Sequence, residues 1–532
     1  MTEADGRLIT ERLFDIAARD PEKELIIDPI FGRFTYAEAA EQVRNLAWGL
    51  SRNGFAAGDV VILQLPNWAP FILLHLALTC IGAITGNIPF VYRQREVSNI
   101  LELTGAKALI VPQVFRGFDF VVMAKALLPV QETLSHIIVV GNYHDNQCDG
   151  ILNYASLLRD ASAPEVATLE TLRPRPDAIT AVGFTSGTTG VLKGAMFDSY
   201  ILNAVNQAFV DRFRLDASDR IFGCSPLGHA VGFTHALRLT LAIEGSIVLQ
   251  EHWNSTDALR LIYEENCTFI AAATPFLMDI VNHPKLAQYE HLPSLKVFLC
   301  GGASVPEELI TLARNNLPNT FTSPLWGMTE CGGVTTCPFD APVKKRYTTD
   351  GKPYESMELK ITDEAGSTLP VGQDGELMVR GPMVAKGYFG QPKLTAEYFL
   401  SDGFFRSGDQ ACMDEDGYIK ITGRIKDLII RGGVNISPVE VENILFSHPH
   451  VENVAVVGEP DQRLGERVCA FVIVKQGKTL CIGDLQQWLT AAGVAKPKWP
   501  ERLETVSALP MTASGKVQKY RLREMLVRSA DQ

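Results

Sequence analysis

Apolar positions along the chain fall into two textures. Short runs such as "VVILQLP", "ALIVP" and "HIIVVG" are apolar or β-branched almost throughout, the pattern of strands buried on both faces of a parallel sheet. Between them lie stretches with helical spacing, of which "TYAEAAEQVRNLAWGLSRNG" is the clearest. The alternation predicts helices covering parallel sheets, an α/β fold. From Val60 to Tyr92 there is no Asp, Glu, Lys or Arg, and "FILLHLALTCIGAITG" approaches the ~20 apolar residues of a membrane span. Pro66, Asn67 and Asn87 bracket it and His75 interrupts it. A buried helix of a large core is therefore expected, and no membrane span.

The texture changes twice toward the C-terminus. From about 346 to 424, short strands and turns such as "MELKITDEAGSTLPVGQDGELMVRG" predict a small β-rich subdomain. Past Arg424, "SPVEVENILFSHP" reads as a helix with Ser437 as N-cap, Pro438 at its first position, Glu440 closing a capping box, and Val441, Ile444 and Leu445 on one face. Strands "VAVVGEP" and "RVCAFVIV" and a helix near 483 to 492 complete a compact α+β tail. The expected division is 1–424, made of α/β parts at about 1–170 and 171–345 and the β-rich part at 346–424, followed by 425–532.

Length supports more than one domain, since 532 residues exceed one ordinary core. A composition that is 46% apolar and 21% charged is that of a globular protein, and a formal net charge of −12 argues against a general nucleic-acid or anionic-membrane binder. Ten cysteines occur without a C-x-x-C pair, which suits reduced thiols and a cytoplasmic location better than a disulfide framework or a cysteine-held metal. The acidic start "MTEADGRLITERLFDIAARD" does not resemble a signal peptide.

The first candidate chemistry is "FTSGTTGVLKG", residues 184 to 194. Its glycines Gly187 and Gly190 free backbone N–H groups to converge on one point, Thr185, Ser186, Thr188 and Thr189 add hydroxyl donors, and Lys193 brings positive charge. The set suits a polyphosphate. It is not a Walker loop, because Lys193 follows Leu192, and Gly477-Lys478-Thr479 has Val472 where that pattern needs glycine. No G-x-G-x-x-G is present. "AITAVGF" before it and "GAMF" after it read as strands, so the loop joins two extended segments. Alone it would be a surface hairpin.

Its meaning comes from the segments downstream of it, which occur in the order "PLGHAVGF", "CGGASVP", "WGMTE", "GELMVRGPMVAKGY", "DGFFRSGD", "GRIKDLIIRGGVNISPVEVE" and "PMTASGK". The chain resembles the AMP-forming adenylating superfamily of acyl-CoA synthetases, aryl-acid ligases, peptide-synthetase adenylation domains and luciferases over nearly its whole length. The resemblance implies two stacked α/β subdomains plus a β-barrel-like subdomain, then a small mobile C-terminal domain. It implies attack of a carboxylate on the α-phosphate of MgATP, followed by a thiol displacing AMP from the acyl adenylate. Carboxylate and triphosphate repel, so cations and N–H donors must gather at the α-phosphate.

Site roles come with the resemblance. Thr185 to Thr189 and Lys193 would hold the β- and γ-phosphates; Leu192 and Ser199 stand where many members have Pro and His. Glu330 would ligate Mg²⁺, and Thr329 would bond the α-phosphate. Trp326 would face adenine, with Gly301, Gly302 and Ala303 on its other side. Asp409 would accept the ribose hydroxyls, Arg424 would reach ribose or phosphate, and Lys516 would donate to the α-phosphate during adenylation. His229 would stand beside the acyl carboxylate as a gate. Lys426 falls at the family's hinge, and Gly432 and Gly433 would swing in to line the thiol tunnel.

The same resemblance bears on the acid. Amino-acid activators carry an Asp near "PLGHAVGF", and hydroxybenzoate activators typically an Asn where Ala230 stands here. Ala230, Val231 and Phe233 thus imply an apolar carboxylic acid: medium-chain, alicyclic or unsubstituted aromatic. Acetate-activating relatives carry a tryptophan where Gly327 stands, so Gly327 is expected to leave the acyl pocket deep. Coenzyme A is the expected acceptor; the alternatives are a separate carrier protein or, outside catalysis, a nucleotide-binding regulator.

Overall fold

The structure, a computed structural model, describes residues 5–141, 143, 150–159, 172–186, 192–302, 305–511 and 517–530. Among them, seven strands form one sheet in the order Leu192–Phe197, Ala181–Ser186, Ile84–Asn87, Val60–Leu63, Ala108–Pro112, His136–Val140, Ile151–Asn153. All neighbours are parallel except the first pair. A nine-stranded sheet runs Lys352–Pro353, Gly332–Thr336, Phe321–Met328, Val297–Gly301, Phe269–Ala273, Arg220–Gly223, Ser246–Leu249, Glu24–Asp28, Gly32–Thr35. The runs read as doubly covered strands are so: Val60–Leu63 and Ala108–Pro112 are buried at every position.

Helices supply the cover. Tyr36–Arg52 starts at Thr35, whose side chain accepts from the Glu38 N–H while the Glu38 carboxylate accepts from the Thr35 N–H, and it packs on Ala69–Cys80. Ala69–Cys80 is buried along its whole length, which explains its apolar sequence without a membrane. No helix of the described residues is long and apolar enough to cross one.

Strands are shared between the two sheets differently from a cut near 170. The hairpin Glu24–Thr35 joins the nine-stranded sheet, with Ile26 opposite Ile247, whereas the strands Ala181–Ser186 and Leu192–Phe197 extend the seven-stranded one. The cause is tertiary: Tyr36 at the end of that hairpin buries its ring and donates its hydroxyl to the Gly245 carbonyl. An apolar strand carries no label for its partner sheet.

Glu358–Thr362, Gly375–Arg380, Phe405–Met413 and Ile419–Arg424 form a four-stranded antiparallel meander; Lys352–Pro353, inside the segment expected to be β-rich, belongs to the large sheet instead. Beyond it, Val434–Ile436, Ile429–Arg431, Gly465–Val474 and Val451–Asp461 pair in that order, and Arg502–Thr505 pairs parallel to Gly465–Val474. The helix Pro438–Phe446 is capped by Ser437 accepting from the Glu440 N–H at 3.4 Å, with Val441 and Leu445 buried and Ile444 only partly so. The reciprocal half of the expected capping box does not form. Both Glu440 oxygens accept from Lys498 at 2.7 Å, an ion pair that outcompetes a bond to a backbone N–H.

Candidate active site

Two cavities lie where the C-terminal ends of parallel strands from both sheets meet, the place where open α/β sheets hold ligands. The larger encloses about 660 Å³, including its opening to solvent, between Pro226, His229, Val231, Phe276, Gly302, Leu325 and Gly327. The second, of about 490 Å³ with its opening to solvent included, runs inward between Asn87, Ala181–Phe184, Leu202, Val205 and Phe233. His229, Ala230, Thr234, Thr329 and Gly332 stand in the walls of both.

Thr329 and Glu330 are delivered by the strand Phe321–Met328 as it turns into Gly332–Thr336. Thr329 can sit against the next sheet because Gly183 has no side chain: a Cβ there would lie 2.8 Å from the Thr329 methyl. Glu330 is buried, and the Tyr388 hydroxyl donates to its Oε1 at 3.0 Å. Burial first, and the Glu330 charge second, push the Tyr388 phenol far above its ordinary range, so it remains a donor. Tyr388 is held by a bridge to Ala195 and by Phe389 N–H donating to the Gly194 carbonyl at 2.7 Å. From that adjoining strand the buried Lys193 ammonium lies 3.6 Å from the centroid of the Tyr398 ring and 5.0 Å from that of Tyr388.

A second polar group forms around Asp409, opposite Arg424 in neighbouring antiparallel strands. The Trp326 indole N–H donates to Asp409 Oδ2 at 2.9 Å, and Arg424 Nε lies 2.9 Å from Oδ1 as an ion pair. The carboxylate is buried and fixed at both oxygens, each of which retains acceptor capacity.

His229 caps the short helix Ala230–Gly232, its Nδ1 accepting from the Val231 N–H at 3.4 Å. The chain continues as a π-helix, Phe233–Arg238, a geometry concentrated at functional sites. Ala230 borders both cavities, Val231 the larger and Phe233 the second. His235, stacked on Phe209 with centroids 4.1 Å apart, is held neutral by burial, its pKa lowered to about 3.

Residues 13–389 match the family model of AMP-binding enzymes, and residues 440–516 match the model of the AMP-binding enzyme C-terminal domain. The chain belongs to the AMP-binding enzymes. It is an adenylate-forming ligase by this kinship. A medium-chain fatty-acid–CoA ligase of Escherichia coli is 34% identical over 96% of this chain and 89% of its own. Pyochelin synthase PchD of Pseudomonas aeruginosa is 33% identical over 98% and 93%. ATP-bound MatB of Rhodopseudomonas palustris superposes with a TM-score of 0.85 at 27% identity, covering 97% of this chain and 98% of that one.

Within this AMP-binding enzyme, the residues singled out by sequence fall into several groups. Lys193, Thr329 and Glu330 converge with Tyr388; Trp326, Asp409 and Arg424 form the second group; His229, Ala230, Val231, Gly301, Gly302 and Gly327 line the larger cavity. Thr185 pairs with Lys193 across the two strands, and the backbone of Ser186 pairs with Leu192. Gly432 and Gly433, with φ of +57° and +83°, turn the hairpin between Ile429–Arg431 and Val434–Ile436, away from both cavity walls. Lys426 donates to the Tyr398 hydroxyl at 3.4 Å. Gly187, Thr188, Thr189, Gly190, Ala303 and Lys516 lie outside the described residues.

One expectation is overturned. Gly327 does not leave acyl volume open: a Cβ there would lie 2.0 Å from the Gly332 carbonyl oxygen and 2.7 Å from Gly333 Cα. The neighbouring strand fills the space where a side chain would go. Glycine at 327 is required by strand approach, and it lines the larger cavity through its backbone. Sequence reading also passed over Tyr388 and Tyr398. Tyr388 closes the run "GELMVRGPMVAKGY", and its signal was an aromatic hydroxyl ending a motif otherwise free of one.

Proposed function

We propose that this chain is an AMP-forming carboxylate–CoA ligase acting on an apolar acid, medium-chain, alicyclic or unsubstituted aromatic. The observation that carries the reading is the wall of the larger cavity: apolar at Ala230, Val231, Ala273, Phe276 and Leu325, with no Asp, Glu, Lys or Arg among the described residues that line it. His235 in that wall is neutral. No anion waits there for a substrate amine. The curated ligase relative named for medium-chain fatty acids supports the same class.

In the first half-reaction a carboxylate oxygen attacks the α-phosphorus, the acyl–phosphate bond forms and pyrophosphate leaves. Thr329 would donate to the α-phosphate, Lys193 and the 185–189 loop would receive the departing phosphates, and Lys516 would bond the α-phosphate and bridging oxygen. Asp409 would take the ribose hydroxyls, Trp326 would face adenine, and Arg424 would reach the ribose. Mg²⁺ would be held by Glu330 with phosphate oxygens, a buried carboxylate suiting a cation that keeps few protein ligands. Bound there, it would neutralise triphosphate charge. In the second half-reaction the thiolate of coenzyme A attacks the acyl carbon past His229, and AMP leaves. The unit 425–532 would rotate about Lys426 between the halves, withdrawing Lys516 and bringing Gly432 and Gly433 to the thiol path.

A panel of carboxylates in acid-dependent ATP–pyrophosphate exchange tests the first half. AMP release with coenzyme A against a carrier protein tests the acceptor. Absence of exchange with every acid would return the chain to a nucleotide-binding role.

A further inference from the structure

The helix Pro392–Tyr398 is fastened beside the strand that carries Lys193. Its N-cap, Gln391, donates from Nε2 to the Leu192 carbonyl at 3.0 Å, and Thr395 Oγ1 accepts from the Tyr388 N–H at 2.9 Å. The last residue of the helix is thereby brought to the lysine. The Lys193 ammonium lies 3.6 Å from the centroid of the Tyr398 ring, against 5.0 Å for Tyr388. Lys193 is 6% exposed, and among the described residues no Asp or Glu forms an ion pair with it. The two tyrosines differ in what else they hold. The Tyr388 hydroxyl is committed to Glu330, whereas the Tyr398 hydroxyl accepts from Lys426 Nζ at 3.4 Å, and the rings meet edge to face with centroids 5.9 Å apart.

We infer that Tyr398 is a positioning residue of the pyrophosphate step, its ring holding Lys193 in place for the departing phosphates. This rests on the proposed ligase reading and adds a residue to its phosphate site. The ring face attracts an ammonium through its quadrupole, more strongly where water is excluded, and so offsets part of the cost of burying the charge. Because the ring carries no net charge, it leaves the positive charge of Lys193 and its N–H donors to the phosphates. A carboxylate in the same place would pair with the lysine and repel the triphosphate. A lysine side chain is long and flexible, so one held before the nucleotide arrives has less freedom to lose on binding. The competing role is packing alone, which any side chain of this shape would serve.

The test replaces Tyr398 with phenylalanine and with phenylalanines bearing one, two and three ring fluorines, which withdraw charge from the ring face with little change of shape. In the full chain, the dissociation constants of ATP and pyrophosphate are measured by calorimetry, and the KM values for pyrophosphate and for the acid by exchange. From no fluorine to three, pyrophosphate should bind stepwise more weakly, about three- to thirtyfold in all, while the KM for the acid stays constant. Tyr398→Leu should bind pyrophosphate as weakly as the trifluorinated ring. A flat fluorine series, or an equal rise in KM for acid and pyrophosphate, assigns Tyr398 to packing and overturns the inference. Should Tyr398→Leu not fold, the fluorinated series decides by itself, because the ring is retained. Binding needs no turnover, so failure of exchange with every acid in the natural chain would remove the ligase reading, while the ring's hold on Lys193 is still judged by the pyrophosphate series.

Discussion

The Tyr388 hydroxyl donates to Glu330 Oε1 at 3.0 Å, and the same ring lies 5.0 Å from the Lys193 ammonium. One aromatic side chain therefore orients the carboxylate proposed to meet Mg²⁺ and borders the lysine proposed to meet the departing phosphates. It touches both without carrying charge.

Tyr388→Phe keeps the ring beside Lys193 and removes only the donor. A hydrogen bond to a charged acceptor contributes about 1.5–3 kcal/mol, so pyrophosphate exchange should fall roughly ten- to hundredfold. The half-saturating Mg²⁺ concentration should rise. An unchanged Mg²⁺ titration would show that Glu330 needs no orientation by this phenol.

Gly327→Ala should damage the enzyme toward every acid alike. Its Cβ would meet the Gly332 carbonyl at 2.0 Å, forcing two strands apart at a cost of about 1–3 kcal/mol. A lower thermal midpoint with an unaltered chain-length profile is expected. A profile shifted toward acetate, with stability retained, would restore Gly327 as the pocket floor.

Acid should weaken the fold through His235. Burial holds this imidazole neutral, with its pKa lowered to about 3, while an unfolded histidine titrates near 6.5. Between those values the unfolded chain binds the extra proton, so stability is complete above about 6.5 and is lost as pH falls toward 3, by about 1.4 kcal/mol per pH unit for this one group. His75 is likewise buried with its pKa lowered, by burial first and Arg238 second, and acts in the same direction. Denaturation midpoints of the natural chain and His235→Gln between pH 4 and 7 should diverge in slope; parallel curves would count against the buried neutral imidazole.

Lys426→Pro tests the rotation. Proline fixes φ at about −65°, so pyrophosphate exchange should persist while thioester formation from supplied acyl adenylate falls at least tenfold. Lys426→Ala, which removes only the 3.4 Å contact with the Tyr398 hydroxyl, separates the backbone effect from the side chain. Equal behaviour of both half-reactions in the proline variant would displace the hinge.

Hydrophobic period, capping chemistry and motif order are local properties, and they were enough to read the α/β class, the fully buried helix Ala69–Cys80, the Ser437 cap and the ordered motifs that mark the AMP-binding enzymes. Only tertiary structure decided that the hairpin Glu24–Thr35 joins the sheet of residues 220–353, that Glu440 turns to Lys498, and that Tyr388 meets Glu330. It also reversed the meaning of Gly327: an absent side chain reads the same in sequence whether the space belongs to a substrate or to the next strand. Here the Gly332 carbonyl occupies it. Which groups share a space is set by long-range packing, and no window of neighbouring residues contains that information.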